Sequence, residues 1–429
     1  MKDSLEQGAL KIIDTLLKHG YEAYMVGGCV RDKLLNRPVK DYDIATSALP
    51  ERVERLFART IPTGLQHGTV TVVIEGQPYE VTTFRKEDVY EDHRRPTEVQ
   101  YIDSLNEDLR RRDFTMNAMA IDYEGNLLDP FHGTEDIRNG ILRCVGEASE
   151  RFQEDALRML RCIRFAAEYR LVVEDQTWNA LCEHAPLLKH IAMERVRMEM
   201  ERMMAGASPN RAIELLSSSN VLQNSKVPLL IANMKRMTTL CDTSQLIHPL
   251  ERWSYLYLVL GIEAVAVEEE LRLMTFSKQQ IDAVRLPIAA AAYLGSHLHD
   301  VSELNVREVE RQWKLAAIQY GKESLQALVH ILSLDGSGAQ HAGVMVQVSS
   351  LCVNEGLRWL QEMPVDKLVG LHISGGDLIA RIGAPAGPWV AKVLQQMLRE
   401  TALGVIPNEK EVLLEKAEHY YKEHYSAGM

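Results

Sequence analysis

A glycine pair set between two short apolar runs constrains the fold of this chain more than any other feature. Tyr21 to Val26 is apolar and aromatic enough for a buried strand, Gly27 and Gly28 break it, and Cys29 to Leu35 has the spacing of a short helix. Asn36 to Lys40 then turns the chain, and Asp41-Tyr-Asp-Ile predicts a second strand. Side chains alternate across a strand, so Asp41 and Asp43 share a face and Tyr42 points away.

The residue types in this segment predict chemistry as well as shape. A strand, a glycine turn and a helix start leave backbone amides that suit a polyphosphate, and Arg31 adds a cation in the first turn. Two carboxylates as close as Asp41 and Asp43 repel unless a cation lies between them. Magnesium prefers carboxylate and phosphate oxygens and is the expected occupant. Two such ions about 3.5 to 4 Å apart can activate an attacking hydroxyl and steady a leaving pyrophosphate, which predicts nucleotidyl transfer. Alone, the Asp-x-Asp reads as a solvated strand edge and the Gly-Gly as an ordinary turn; their joint spacing carries the prediction.

A chain of 429 residues is too long for one core and predicts three or four domains. Before about residue 140 come short β-branched runs, with Thr69 to Ile74, Glu75-Gly-Gln-Pro78 and Tyr79 to Phe84 predicting a hairpin. After about residue 148 helical periodicity dominates, with breaks near 205–209, 335–338 and 383–388. The expected layout is 1–148, 149–205, 206–300 and 301–429. The six cysteines lie far apart with no Cys-x-x-Cys pair, which argues for a reducing compartment and against a zinc site. The amino terminus has no signal-peptide core and no apolar run approaches a membrane span, so a cytoplasmic, non-membrane protein is expected. The net charge of −12 opposes indiscriminate phosphate binding and predicts selective RNA binding through local basic groups.

Two further segments carry chemistry. In Leu109 to Ala120, Arg111 and Arg112 suit the anionic end of a nucleotide, Asp113 is placed to orient one of them, and Asn117 to hydrogen-bond a sugar. In Glu154 to Phe165, a helix sets Asp155, Arg158 and Arg161 along one side, with Arg164 continuing the three-residue spacing. Cytosine and adenine each present an amino donor beside a ring-nitrogen acceptor. Asp155 can accept from the amino group while Arg158 donates to the ring nitrogen. Guanine and uracil put a carbonyl against the carboxylate and leave a buried acceptor unsatisfied, at about 1 to 3 kcal/mol. As a lone motif, this Asp and Arg would be an intrahelical ion pair.

Gly-Gly-x-Val-Arg-Asp with Asp-x-Asp, Arg-Arg-Asp-x-x-x-Asn-Ala and Glu-Asp-x-x-Arg resemble, in order, the signature motifs of the class II tRNA nucleotidyltransferases, bacterial CCA-adding members of the DNA polymerase β superfamily. Glu194 to Glu199 resembles the next helical motif, which supports the base-reading helix, and the segments at Ile373 and Gly383 to Val390 are similar to the tail of bacillus-type members. The resemblance implies an α+β fold: a polymerase-β-like head with a small mixed sheet, then an elongated all-helical neck, body and tail along which tRNA lies. It also implies magnesium at Asp41 and Asp43, and nucleotide contacts from Gly28, Arg31, Arg112, Asp155, Arg158, Arg161 and Arg164. CTP, ATP and tRNA are the implied substrates.

Some relatives add only CC, others only A, and others are poly(A) polymerases. Arg85 to Pro96 fills, at full length, the loop that CC-adding members shorten, so CC-only addition is not expected. The tail is not basic, unlike that of poly(A) polymerases. CCA addition is the favoured reading, with A-only addition or poly(A) synthesis as the alternative, and a non-catalytic RNA-binding protein as the reading from another class. Glu80 is a candidate third carboxylate of the metal site. His297-Leu-His-Asp300 invites comparison with metal phosphohydrolases, yet reads as a surface turn; Trp253, Trp313, Trp359 and Trp389, and the methionines from Met198 to Met204, read as core.

Overall fold

The alternating runs of the amino-terminal third assemble into one seven-stranded sheet. The computed structural model describes residues 4–64, 68–87, 90–91, 95–96, 99–236, 241–298, 305–334 and 346–425. After α1 (Ser4–Lys18) come β1 (Ala23–Val26), α2 (Gly28–Leu34), β2 (Asp43–Thr46), α3 (Pro50–Leu56), β3 (Thr60–Gly64), β4 (Thr69–Ile74) and β5 (Gln77–Thr83). Two small ladders follow, β6 (Arg85–Glu87) with β9 (Val99–Tyr101) and β7 (Tyr90–Glu91) with β8 (Arg95–Pro96). Then come α4 (Leu105–Arg110), β10 (Ala120–Ile121) and β11 (Leu127–Leu128). The sheet order is β11-β10-β1-β2-β5-β4-β3, with β2 and β5 parallel and the other neighbours antiparallel.

The predicted hairpin forms. Ile74 pairs with Gln77 around Glu75 and Gly76, whose φ values of 51° and 83° are both positive, the two-residue geometry that matches strand twist. Alternation then sorts the sheet's side chains into two cores. Met25, Ile44 and Val81 pack with Ala9, Ile12, Ile13 and Leu16, the stripe that α1 presents at helical spacing. Val26, Ala45 and Phe84 face the other way, against Leu105, Leu109, Ala120 and Val145. Burying one such Leu or Ile stabilises by about 1.5 to 3 kcal/mol, so the clamp of α1 and α4 on opposite faces fixes where the strand ends lie.

The first of two units, Met1–Ala232, continues with α5 (Gly133–Asn139), α6 (Ala148–Glu154), α7 (Leu157–Glu168), α8 (Asp175–His184), α9 (Met193–Ala205) and α10 (Pro209–Ser219). Helix α7 packs on α9 and α10. The second unit, Asn233–Met429, is helical in its described residues, from Pro249–Val259 to Lys410–Tyr425. Trp253, Trp313 and Trp359 are fully buried there and Trp389 nearly so, as a core role requires. Met200, Met203 and Met204 are buried, while Met198 is exposed. Among the described residues no helix is long and apolar enough to cross a membrane.

The backbone departs from expectation at two places that matter for the site. Strand β2 begins at Asp43, because the ladder with β1 ends where Val26 pairs with Asp43 and Gly27 turns away; Asp41 lies on the exposed approach. The expected single helix through Asp155 is two helices. Asp155 has extended backbone, φ −137° and ψ 104°, and its Oδ1 accepts from the Leu157 N–H at 3.0 Å, so the carboxylate sits at the break between two helices instead of riding on one. Within the Arg85 to Pro96 segment, residues 88–89 and 92–94 lie outside the described residues, as do 299–300 of the His297 turn and the break at 335–338.

Candidate active site

Strands β1 and β2 run antiparallel, so the Gly27-Gly28 turn and the first residue of β2 meet at one edge of the sheet. Gly27 has φ 74° and ψ −126°, and a Cβ there would stand 3.0 Å from Arg112 Nη1 and 3.9 Å from Asp43 Oδ2. Glycine is therefore required twice, by backbone conformation and by the approach of Arg112. Asp43 pairs in register with Glu80 on β5, which puts the two carboxylates on the same face of adjacent strands. Tyr42 is buried in the α1-side core, pointing away as expected.

Burial, with added repulsion from Asp41 and Glu80 and partial relief from Arg112, pushes the Asp43 carboxyl up to about 6. Among the described residues no three His, Cys, Asp or Glu side chains are drawn into a ready metal cluster. What this edge offers is a set of mutually repelling oxygen donors, Asp41 and Asp43 with Glu80 beside them. That donor set fits a hard divalent cation that takes its remaining ligands from water or phosphate.

These carboxylates open on a cavity of about 890 Å³, whose lining includes Gly28, Arg31, Asp113, Asn117, Asp155, Arg158 and Arg161. Eight arginines and five Asp or Glu residues line it, a basic enclave in an acidic chain. Arg111 and Arg112 are held by Asp108, at 2.8 and 3.2 Å. Asp113, expected to orient one of them, turns instead to Arg161, accepting from Nε at 2.8 Å and Nη2 at 2.6 Å. The reason is local. Helix α4 ends at Arg110, and the chain is extended by Phe114, which bridges to Cys144, so Asp113 faces α7. Burial alone would raise Asp113, but Arg161, Asn117 and Arg158 override it and hold its carboxyl at about 2.

Asn117 links Asp113 to the glycine turn. Its Nδ2 donates to Asp113 at 3.1 Å, and its Oδ1 accepts from Arg31 Nη1 at 2.6 Å. Arg31 also pairs with Asp32 at 3.0 Å and lies 4.5 Å from the Tyr169 ring centroid. It is thus a fixed, partly neutralised group rather than a bare cation at a helix start.

Asp155 and Arg158 both line the cavity but do not pair with each other as the helical spacing suggested. Asp155 Oδ2 accepts from Arg195 of α9 at 2.9 Å. Arg158 binds Glu154 and donates to the carbonyl oxygens of Arg151 at 3.1 Å and Arg111 at 3.0 Å. Arg164 lies outside the lining, buried against Glu199 of α9 at 2.6 Å and Glu168 at 3.2 Å. Sequence reasoning missed Arg85, Arg195, Arg202 and Asp108. Two signals were present: Asp108 stands three and four residues before Arg111 and Arg112, and Arg195 and Arg202 are one heptad apart on α9.

Residues 23–143 match the family described as the poly A polymerase head domain, residues 170–230 the "Probable RNA and SrmB- binding site of polymerase A", and residues 245–417 the tRNA nucleotidyltransferase domain 2. The chain is 39% identical over 408 residues to the CCA-adding enzyme of Geobacillus stearothermophilus, covering 94% of this chain and 95% of that one. It is 40% identical over 415 residues to that of Geobacillus kaustophilus (strain HTA426), covering 96% of each. The crystal structure of the Bacillus stearothermophilus CCA-adding enzyme in complex with CTP superposes with a TM-score of 0.79 at 35% identity, covering 99% of this chain and all of that one. The Thermotoga maritima CCA-adding enzyme complexed with tRNA, at 18% identity and a TM-score of 0.64, shares the fold.

Proposed function

This chain belongs to the family of CCA-adding enzymes, and from that premise we propose that it extends the 3′ end of tRNA with CCA from CTP and ATP, using the cavity above Asp41 and Asp43. The observation that carries this reading is the meeting, in one cavity, of a carboxylate edge suited to metal and phosphate with Asp155 and Arg158, an acceptor and a donor held separately in the same lining. The terminal hydroxyl of the tRNA would attack the α-phosphate and release pyrophosphate. Asp41 and Asp43, with Glu80 beside them, would hold the divalent cation, and magnesium is the choice that an all-oxygen donor set favours. Such a cation, when bound, makes the attacking hydroxyl more acidic and takes up charge on the leaving pyrophosphate.

The chain's own residues divide the remaining work. Arg111 and Arg112 face the triphosphate, with Gly28 allowing close approach. Arg158 and Asp155 meet the base, with Arg195 orienting the carboxylate. Arg161, tied to Asp113, joins this end of the cavity to the Arg31 side. Arg164 acts from behind α7 through Glu199 and not on the nucleotide. In this reading residues 1–148 serve as head, 149–205 as neck and 206–300 and 301–429 as the body and tail that bind tRNA, acting in the cytoplasm.

The test uses tRNA transcripts lacking all three terminal nucleotides or only the last, with labelled CTP or ATP. Extension of the shorter transcript to full CCA is expected; growth only from the longer one would replace this reading with A-only addition, and extended A tracts with poly(A) synthesis. Asp41→Ala should abolish incorporation while tRNA binding, followed by filter retention, persists. Robust incorporation by that variant would remove Asp41 from the chemistry.

A further inference from the structure

Asp108 lies on α4 three and four residues ahead of Arg111 and Arg112, so one helical turn carries its carboxylate between their guanidinium groups. It is 1% exposed. Its Oδ1 accepts from Arg111 Nε at 3.1 Å and Nη2 at 2.8 Å, and from the backbone N–H of Arg85 at 3.3 Å; its Oδ2 accepts from Arg112 Nη2 at 3.2 Å. All three donor residues line the cavity, and Asp108 itself does not. Burial opposes ionisation of Asp108, yet the charges of Arg111 and Arg112 and the hydrogen bonds from Arg111 and the Arg85 amide keep its carboxyl below the ordinary value. The carboxylate is therefore charged when it acts.

Arg112 supplies the second observation. Its Nη1 reaches the Gly27 turn, and its buried Nε has no hydrogen-bond partner. Among the described residues, Asp108 is the one acidic group that pairs with it. A part-buried guanidinium gripped at Nη2, with Nη1 at the Gly27 turn near Asp43 and on the cavity wall, is arranged to receive an anionic oxygen.

We propose that Asp108 is a positioning residue for the triphosphate: from behind the cavity wall it aims Arg112 and Arg111 at the phosphates and ties the Arg85 amide, where β6 begins, to the same point. The proposal rests on the nucleotidyl-transfer reading above. A carboxylate offers two charged acceptors in one plane and so fixes the rotation of both forks; without it each arginine samples several rotamers, and binding must restrict them. Asn at this position keeps the shape but turns an NH₂ toward one arginine, so one fork loses its anchor.

The test measures binding of non-hydrolysable CTP and ATP analogues by calorimetry to the full chain and to Asp108→Asn, Arg112→Gln and the double variant. Asp108→Asn should weaken both nucleotides alike, by about tenfold to a hundredfold, the loss expected when a charged hydrogen-bond anchor is removed. In the Arg112→Gln background the same change should cost much less, because its principal target is gone. Wild-type affinity in Asp108→Asn would overturn the proposal, as would losses that add independently, which a merely structural role predicts. If Asp108→Asn does not fold, Asp108→Glu, judged by the same cycle, decides. A wild-type chain that binds the analogues but adds nothing to tRNA would sink the proposed function and leave the Asp108 cycle informative; one that binds neither analogue would sink both.

Discussion

Asp43 sets an energetic tension at the head of β2. Its carboxyl stands at about 6 in the folded chain against an ordinary 3.8, because burial and then Asp41 and Glu80 disfavour its charge. A raised carboxyl is a stability contribution fully present below the unfolded value and lost as pH rises through the folded one. Between about pH 4 and 6 the cation-free fold thus gives up on the order of 3 kcal/mol at this residue. Asp43→Asn should therefore raise the melting temperature in chelator at pH 7.5 and leave it nearly unchanged at pH 3.5. An equal melting temperature at pH 7.5 would mean that the repulsion is absent. Magnesium should stabilise the wild type increasingly above pH 6 and Asp43→Asn much less, as calorimetric scans with and without the ion would read. Base choice is argued at the same scale. Arg195→Ala frees the Asp155 carboxylate to rotate, so misincorporation of U and G should rise by about tenfold, within the range that one unsatisfied buried acceptor imposes. Unchanged selectivity would assign Arg195 to packing alone.

At the scale of elements, the β1–turn–α2–β2 unit works because Gly27 admits both its own positive φ and Arg112. Gly27→Ala should destabilise by about 1 to 2 kcal/mol for the left-handed backbone, before any movement of Arg112 is counted. Chemical denaturation measures the loss, and analogue binding should weaken in parallel; weakened stability with intact binding would show that Arg112 had accommodated the methyl. The hairpin of β4 and β5, the buried strand β1 with Tyr42 turned from Asp43, and the break around residue 207 were legible, since each follows from two to ten neighbouring residues. The helix break at Asp155 was not. Periodicity alone runs a helix straight through it, and only the pairing with Arg195, forty positions later, gives the extended backbone a second support.

On the scale of the whole molecule, every residue lining the cavity falls within the first unit, Met1–Ala232. A fragment ending at residue 232 should therefore bind CTP as the full chain does, yet fail to extend tRNA efficiently, since the proposed body and tail are missing. Calorimetry and the transcript assay distinguish these outcomes, and full extension by the fragment would contradict a tRNA-binding role for residues 233–429. Sequence by itself determined the chemistry available: a glycine turn ahead of two aspartates, a cluster of arginines, and an Asp with an Arg three positions on, each set encoded by near neighbours. Which of those charges face the cavity was decided only by tertiary structure. Asp113 turned to Arg161, Arg164 withdrew to Glu199, and Asp108 took Arg111 and Arg112. The physical reason is that a buried charge must find a partner. Of these partners only Asp108 lies within a helical turn in the chain; the others are brought in by α7 and α9.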